Sequence, residues 1–165
     1  MKKRAENKKR VNWKVLIISL ILFYLSGYIG NLFTSQSVNS SWYQNIKPEI
    51  APPNFVFGIV WSVLYLFIAL SLYFAWTGIE DHLQKNSLII SFGENLILLT
   101  LWSIVFFGIN NVGLALFNII LILISICIMI FITWKINRKS SYLLIPYFLW
   151  VSFATYLNYL SLLKV

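Results

Sequence analysis

Five apolar stretches constrain this chain more than anything else in it. Residues 15–33, 55–76, 88–107, 112–134 and 143–163 are each long and apolar enough to cross a bilayer, since a spanning helix needs roughly 20 mostly apolar residues. Together they use most of the 165 residues. The chain is therefore read as a basic tail over 1–14 and one membrane domain over 15–165, an all-α bundle of five transmembrane helices. Composition agrees: 59% of the residues are hydrophobic and 11% are charged, whereas a soluble domain has about 25% charged residues.

A net charge of +8 invites a nucleic-acid reading, but the distribution of that charge points elsewhere. With five spans, the N-terminus and the loops after spans two and four share one side. That side holds Lys2, Lys3, Arg4, Lys8, Lys9, Arg10, Lys14, Lys85, Lys135, Arg138 and Lys139, while the other holds only Lys47 and Lys164. Lys and Arg collect on cytoplasmic sides, so the N-terminus is expected inside and the C-terminus outside. The tail is then a topology signal that also attracts anionic lipid. Span one starts like a signal peptide but runs to about 19 residues, beyond the usual length of about 7–15 for such a core. The lone Cys127 lies inside span four and is expected as a buried structural thiol.

Aromatic and polar residues recur inside the spans. Span one carries Tyr24, Gly27, Tyr28 and Asn31 at helical spacing, with Ser26 and Gly30 as a small-residue pair that lets a neighbouring helix approach. The loop 34–54 holds Trp42-Tyr43, Lys47-Pro48 and Pro52-Pro53. Its prolines forbid one continuous helix, and it reads either as an interfacial anchor or as a lid. Phe57, Trp61 and Tyr65 recur every fourth residue along span two, and Asn95, Trp102, Ser103 and Phe106 share a side of span three. Asn110 and Asn111 mark a tight hairpin turn into span four, where Asn118 is the notable residue. In span five Tyr147, Trp150, Ala154 and Asn158 share a face, with Ala154 as a notch and Asn158 as a tie between helices.

Much common chemistry is absent. Glu94 falls near the cytoplasmic end of span three, within reach of water, which leaves no ionisable residue at mid-depth, where coupled transporters usually need one. The only His, His82, sits in a loop beside Glu80 and Asp81 and is read as solvated. No metal-ligand cluster, phosphate loop or nucleophile–base pair is present, so no metal and no cofactor is expected. The aromatic rings either pack the bundle against itself or line a pocket for a flat apolar ligand, with the nearby polar atoms fixing its orientation.

In chain order these residues resemble the TspO/MBR family, the translocator or tryptophan-rich sensory proteins, also called peripheral-type benzodiazepine receptors. The resemblance covers about 42–164. It comprises Trp42-Tyr43, Lys47-Pro48, Pro52-Pro53, Gly58, Val60-Trp61, Leu64-Tyr65, Trp102-Ser103, Phe106-Phe107-Gly108, Leu144, Pro146-Tyr147, Trp150, Phe153-Ala154-Thr155 and Leu157-Asn158-Tyr159. It implies a five-helix, often dimeric bundle that binds porphyrins, cholesterol-like lipids and benzodiazepine-type ligands beneath the first loop. Tyr43, Trp61, Trp150 and Ala154 match pocket positions by resemblance, joined by Trp102 and Phe106; Phe57 and Tyr147 complete the candidate set from their helical faces. A loosely spaced sterol-recognition pattern maps to Leu157, Tyr159 and Lys164. There are three departures: Ile50 stands where the family has a lid Trp, Leu99 where it often has Asn, and Asn118 where it has an acid. They bear on ligand polarity and affinity rather than on the fold.

Three functions follow as expectations. One is a membrane receptor or transport-type protein for protoporphyrin IX, haem-like tetrapyrroles and other flat hydrophobic molecules, linked to tetrapyrrole handling or stress sensing. Another is light-dependent porphyrin degradation, with Trp61 and Trp150 as the reacting residues. The third is a membrane scaffold. Expected partners are membrane lipids, hydrophobic small molecules and a second copy of the chain, without nucleic acid; a bacterial source would place it in the cytoplasmic membrane.

Overall fold

The computed structural model describes residues 11–79 and 81–165. Most of the basic tail (Lys2, Lys3, Arg4, Lys8, Lys9 and Arg10) and Glu80 lie outside the described residues. The five long helices are α1 (Trp13–Ser37), α3 (Asn54–Gly78), α4 (His82–Ser103), α5 (Val112–Ile136) and α6 (Arg138–Leu162), and a short α2 (Ser41–Ile46) lies in the first loop. All five long helices have the length and composition to cross a membrane. Their packing closes a ring in the order α1, α3, α6, α5, α4 and back to α1.

Small polar side chains set where the helices start. Asn12 caps α1, accepting from Val15 N; Asn111 caps α5, accepting from Leu114 N at 2.9 Å; Asn137 caps α6, accepting from Lys139 N at 3.0 Å. Such caps satisfy backbone N–H groups that have no partner within their own helix. α1 begins two residues before the expected span and α4 six before it. His82 is therefore the first residue of α4, still exposed, rather than a loop residue. The earlier start also moves Glu94 to about the middle of the 27-residue span His82–Gly108, with its side chain exposed on the outer face.

The half of the ring remote from α2 is filled and fastened. Ile68, Ala69, Leu88, Ile126, Met129 and Leu144 are buried there. Ser71 and Ser140 hydroxyls meet at 2.8 Å, joining α3 to α6, and Thr133 and Ser141 meet at 2.8 Å, joining α5 to α6. Asn95 Nδ2 donates to Ser125 Oγ at 2.7 Å, and Tyr147 OH donates to Asn95 Oδ1 at 3.1 Å, so one amide links α4, α5 and α6. In lipid the hydrophobic effect does not drive helices together, and small residues with interhelical hydrogen bonds supply the association.

The outer surface stays apolar. Ile17, Ile21, Phe55, Ile59, Ile90, Ile97, Phe117, Phe131 and Leu149 are exposed, which suits lipid rather than water. Cys127 belongs to this surface, which corrects the expectation of a buried thiol. An apolar residue of a spanning helix has an apolar environment on both sides, so hydrophobicity alone does not say which way it points.

Candidate functional site

At the α2 end the ring is not filled. A cavity of about 780 Å³ opens between the helices, within the range of roughly 300–1,000 Å³ usual for small-molecule sites. α3 supplies Phe57, Trp61 and Tyr65; α4 and the turn after it supply Leu99, Trp102, Phe106 and Phe107; α6 supplies Val151, Ala154, Leu157 and Asn158. α1 contributes Tyr24, Gly27, Tyr28 and Asn31. That stripe was visible at helical spacing, yet it was missing from the candidate site because the matched motifs begin only at Trp42. Asn54 and Ser103 were also missed as lining residues.

Two departures from plain helix shape the roof. The first is a π-helical turn over Ile104–Gly108, in which Ile109 N–H donates to the Ile104 carbonyl at 2.9 Å. The wider turn inserts an extra residue and shifts the helix face. Consecutive Val105, Phe106 and Phe107 are all buried as a result. Asn110 then takes a left-handed φ of 59°, a conformation Asn tolerates better than most residues, and turns the chain into α5. The second is α2, a short helix inside the loop 34–54 that the sequence reads as an anchor or a lid. Ser40 caps it, accepting from Tyr43 N at 3.2 Å, and Lys47 ends it in extended conformation before Pro48. α2 seats Tyr43 on Phe106 and Phe107 at 6.3 and 5.4 Å between ring centres, and Trp42 on Phe106 at 5.8 Å. Tyr43 therefore belongs to the roof, and its burial pushes the phenol pKa above its ordinary value.

Two stacked aromatic pairs, one on α3 and one at the end of α4, make the wall. Trp102 stacks on Phe106 at 5.1 Å and 25°, and Trp61 stacks on Tyr65 at 5.5 Å and 30°. The Trp102 indole N–H donates to Asn158 Oδ1 at 3.0 Å, while Asn158 Nδ2 donates to the Val112 carbonyl at 3.0 Å. Asn158 thus ties α4, α5 and α6 at the cavity edge. At Gly27 α1 lies close against this wall: a Cβ there would collide with the Tyr65 ring.

Of the expected pocket residues, Tyr43, Phe57, Trp61, Trp102, Phe106 and Ala154 line the cavity together. Tyr147 does not; it is fully buried beneath, edge-on to Trp61 at 6.2 Å. Trp150 stands in the seam between α3 and α6, edge-on to Phe57 at 5.6 Å, and lines a separate apolar groove with Ile59, Val63, Pro146 and Phe153. It backs the wall instead of forming it. The sterol-type trio diverges: Leu157 lines the cavity, Tyr159 points outward, and Lys164 Nζ donates to the Lys47 carbonyl at 3.0 Å. Of the three departures, Leu99 replaces a polar group on the cavity wall, Ile50 is exposed, and Asn118 is buried with an unpartnered Oδ1.

A sequence model of the TspO/MBR family matches residues 18–163. The chain belongs to the TspO/MBR family. The match takes in α1, which the motif resemblance had left out. Tryptophan-rich protein TspO of Archaeoglobus fulgidus is 38% identical over 87% of this chain and 92% of its own length. The human translocator protein is 28% identical over 83% and 84%, and the tryptophan-rich sensory protein of Cereibacter sphaeroides 27% identical over 72% and 73%. Family and helices together make this TspO/MBR chain a multi-pass membrane protein.

Proposed function

We propose that the chain is a receptor or transport-type membrane protein that holds porphyrins, and other flat hydrophobic molecules, in the cavity under α2. The observation that carries this reading is the wall itself. Stacked Trp61–Tyr65 and Trp102–Phe106 pairs face a space of about 780 Å³. Among the described residues, the lining contains no Asp, Glu, Lys, Arg or His. Flat π-systems bind between aromatic faces, and the amides and hydroxyls of Asn31, Asn54 and Ser103 orient them without charge.

Titration of the purified protein with protoporphyrin IX tests the reading, with Trp fluorescence as the signal. A saturable quench is expected. Ala154→Phe fills the notch and should weaken binding by at least tenfold, a loss of about 1.4 kcal/mol. Trp61→Leu should weaken binding more than Trp150→Leu, because Trp61 lines the cavity and Trp150 lies behind it. Curves identical to wild type for Ala154→Phe and Trp61→Leu would reject the cavity as the site.

A further inference from the structure

The cavity is neutral inside, but its mouth is not. Lys47 and Lys164 are the two basic residues at the α2 end of the molecule, and both meet the same segment of chain. Lys47 Nζ donates to Asn54 Oδ1 at 2.8 Å and lies 6.0 Å from the centre of the Tyr43 ring. Asn54 and Tyr43 both line the cavity, as does Pro48 next to the lysine. Lys164, 117 residues away in sequence, brings its ammonium to the Lys47 carbonyl at 3.0 Å.

We propose that these two ammonium groups form a carboxylate-recognition site at the rim, so that the cavity takes an anionic amphiphile with its flat apolar body inside and its carboxylate at Lys47 and Lys164. The inference rests on the ligand-site reading above and adds the charge of the ligand to it. Two observations support it. Both lysines bond to neutral oxygens, Asn54 Oδ1 and the Lys47 carbonyl, and an ammonium has three donors, so each has donors to spare for a carboxylate. Lys47 is half-buried and precedes Pro48, which restricts its backbone to the extended conformation found here, φ −60° and ψ 126°. With its ammonium bonded to Asn54 Oδ1, its charge is held at the rim. At half-buried Lys47 a charge pair is stronger than in water, and at exposed Lys164 it is weaker than at Lys47. The neighbouring acid, Glu49, is exposed on the same loop.

The test compares protoporphyrin IX with its dimethyl ester, which keeps the ring and lacks the carboxylates. The protein is held in phosphatidylcholine nanodiscs, so no anionic headgroup competes. The ratio of the two affinities is read in wild type, Lys47→Gln, Lys164→Gln and Lys85→Gln. Gln at 47 can still donate to Asn54, so packing survives while charge is lost. The acid is expected to bind about tenfold tighter relative to the ester in wild type than in Lys47→Gln, with a smaller loss of about threefold in Lys164→Gln. Lys85→Gln, on α4 at the other end, should match wild type. Raising salt from about 0.05 to about 0.5 M should weaken the acid and leave the ester unchanged, a result that needs no variant to fold. An acid-to-ester ratio equal in wild type and both rim variants, and insensitive to salt, overturns the rim site while leaving the cavity reading standing. Failure of both compounds to bind removes both.

Discussion

Asn158 joins three helices through one buried amide. An Asn inside an apolar span must find partners, since hydrocarbon offers none; that requirement made it legible as a tie. Its partners, the Trp102 indole N–H and the Val112 carbonyl, lie 56 and 46 residues away, and nothing local specifies them. Asn158→Leu should destabilise the protein by about 1–2 kcal/mol, since it removes two interhelical bonds, each worth about 0.6–1.7 kcal/mol, and leaves the Trp102 indole N–H unpaired. Unfolding by denaturing detergent measures it, and a loss below about 0.3 kcal/mol would contradict the tie. Trp150 was misplaced for a different reason. It shares a helical face with Ala154, but an indole is wide enough to turn into the α3–α6 seam against Phe57, and periodicity fixes the direction of Cβ, not of the ring.

Helix existence was plain in the sequence, whereas deviations from regular helix were not. The π-helical turn at Ile104–Gly108 reads as ordinary apolar sequence, and α2 is only six residues long. A helix that short is unstable alone, so α2 depends on Ser40 and on the docking of Tyr43 and Ile46, both buried. Ser40→Ala removes the cap and should cost about 1 kcal/mol. Because the change is local, faster amide exchange across Ser41–Ile46 is expected, with the exchange of α5 unaltered. Alkaline pH should loosen the same element. The Tyr43 phenol has its folded pKa above the unfolded value of 10, so its contribution to docking is complete below about pH 10 and declines as pH rises through the folded pKa. Protection of the α2 amides, taken relative to their intrinsic base-catalysed exchange, that stays constant as pH is raised well above 10 would argue against that burial. On the facing helix, Gly27→Ala should push the Tyr65 ring aside and cost about 1–3 kcal/mol, read from thermal unfolding.

For the whole molecule, the ring order α1, α3, α6, α5, α4 was beyond sequence reasoning, because five similar apolar helices can be arranged in many ways and only side-chain fit chooses among them. Orientation is more accessible. The concentration of Lys and Arg at the end remote from α2 predicts an N-terminus in the cytoplasm and the cavity mouth on the opposite side. Reporter fusions at the two termini check this; an active periplasmic-type reporter at residue 1 would reverse it. The outward-facing Cys127 has a practical consequence of a different kind. It is the chain's only thiol, it lies on the lipid-facing surface of α5, and α5 contributes only Ile119 and Ile122 to the cavity wall. A spin label or fluorophore attached there gives every protein molecule one address, without engineering, from which the separation between neighbouring copies in a bilayer can be read as a distance.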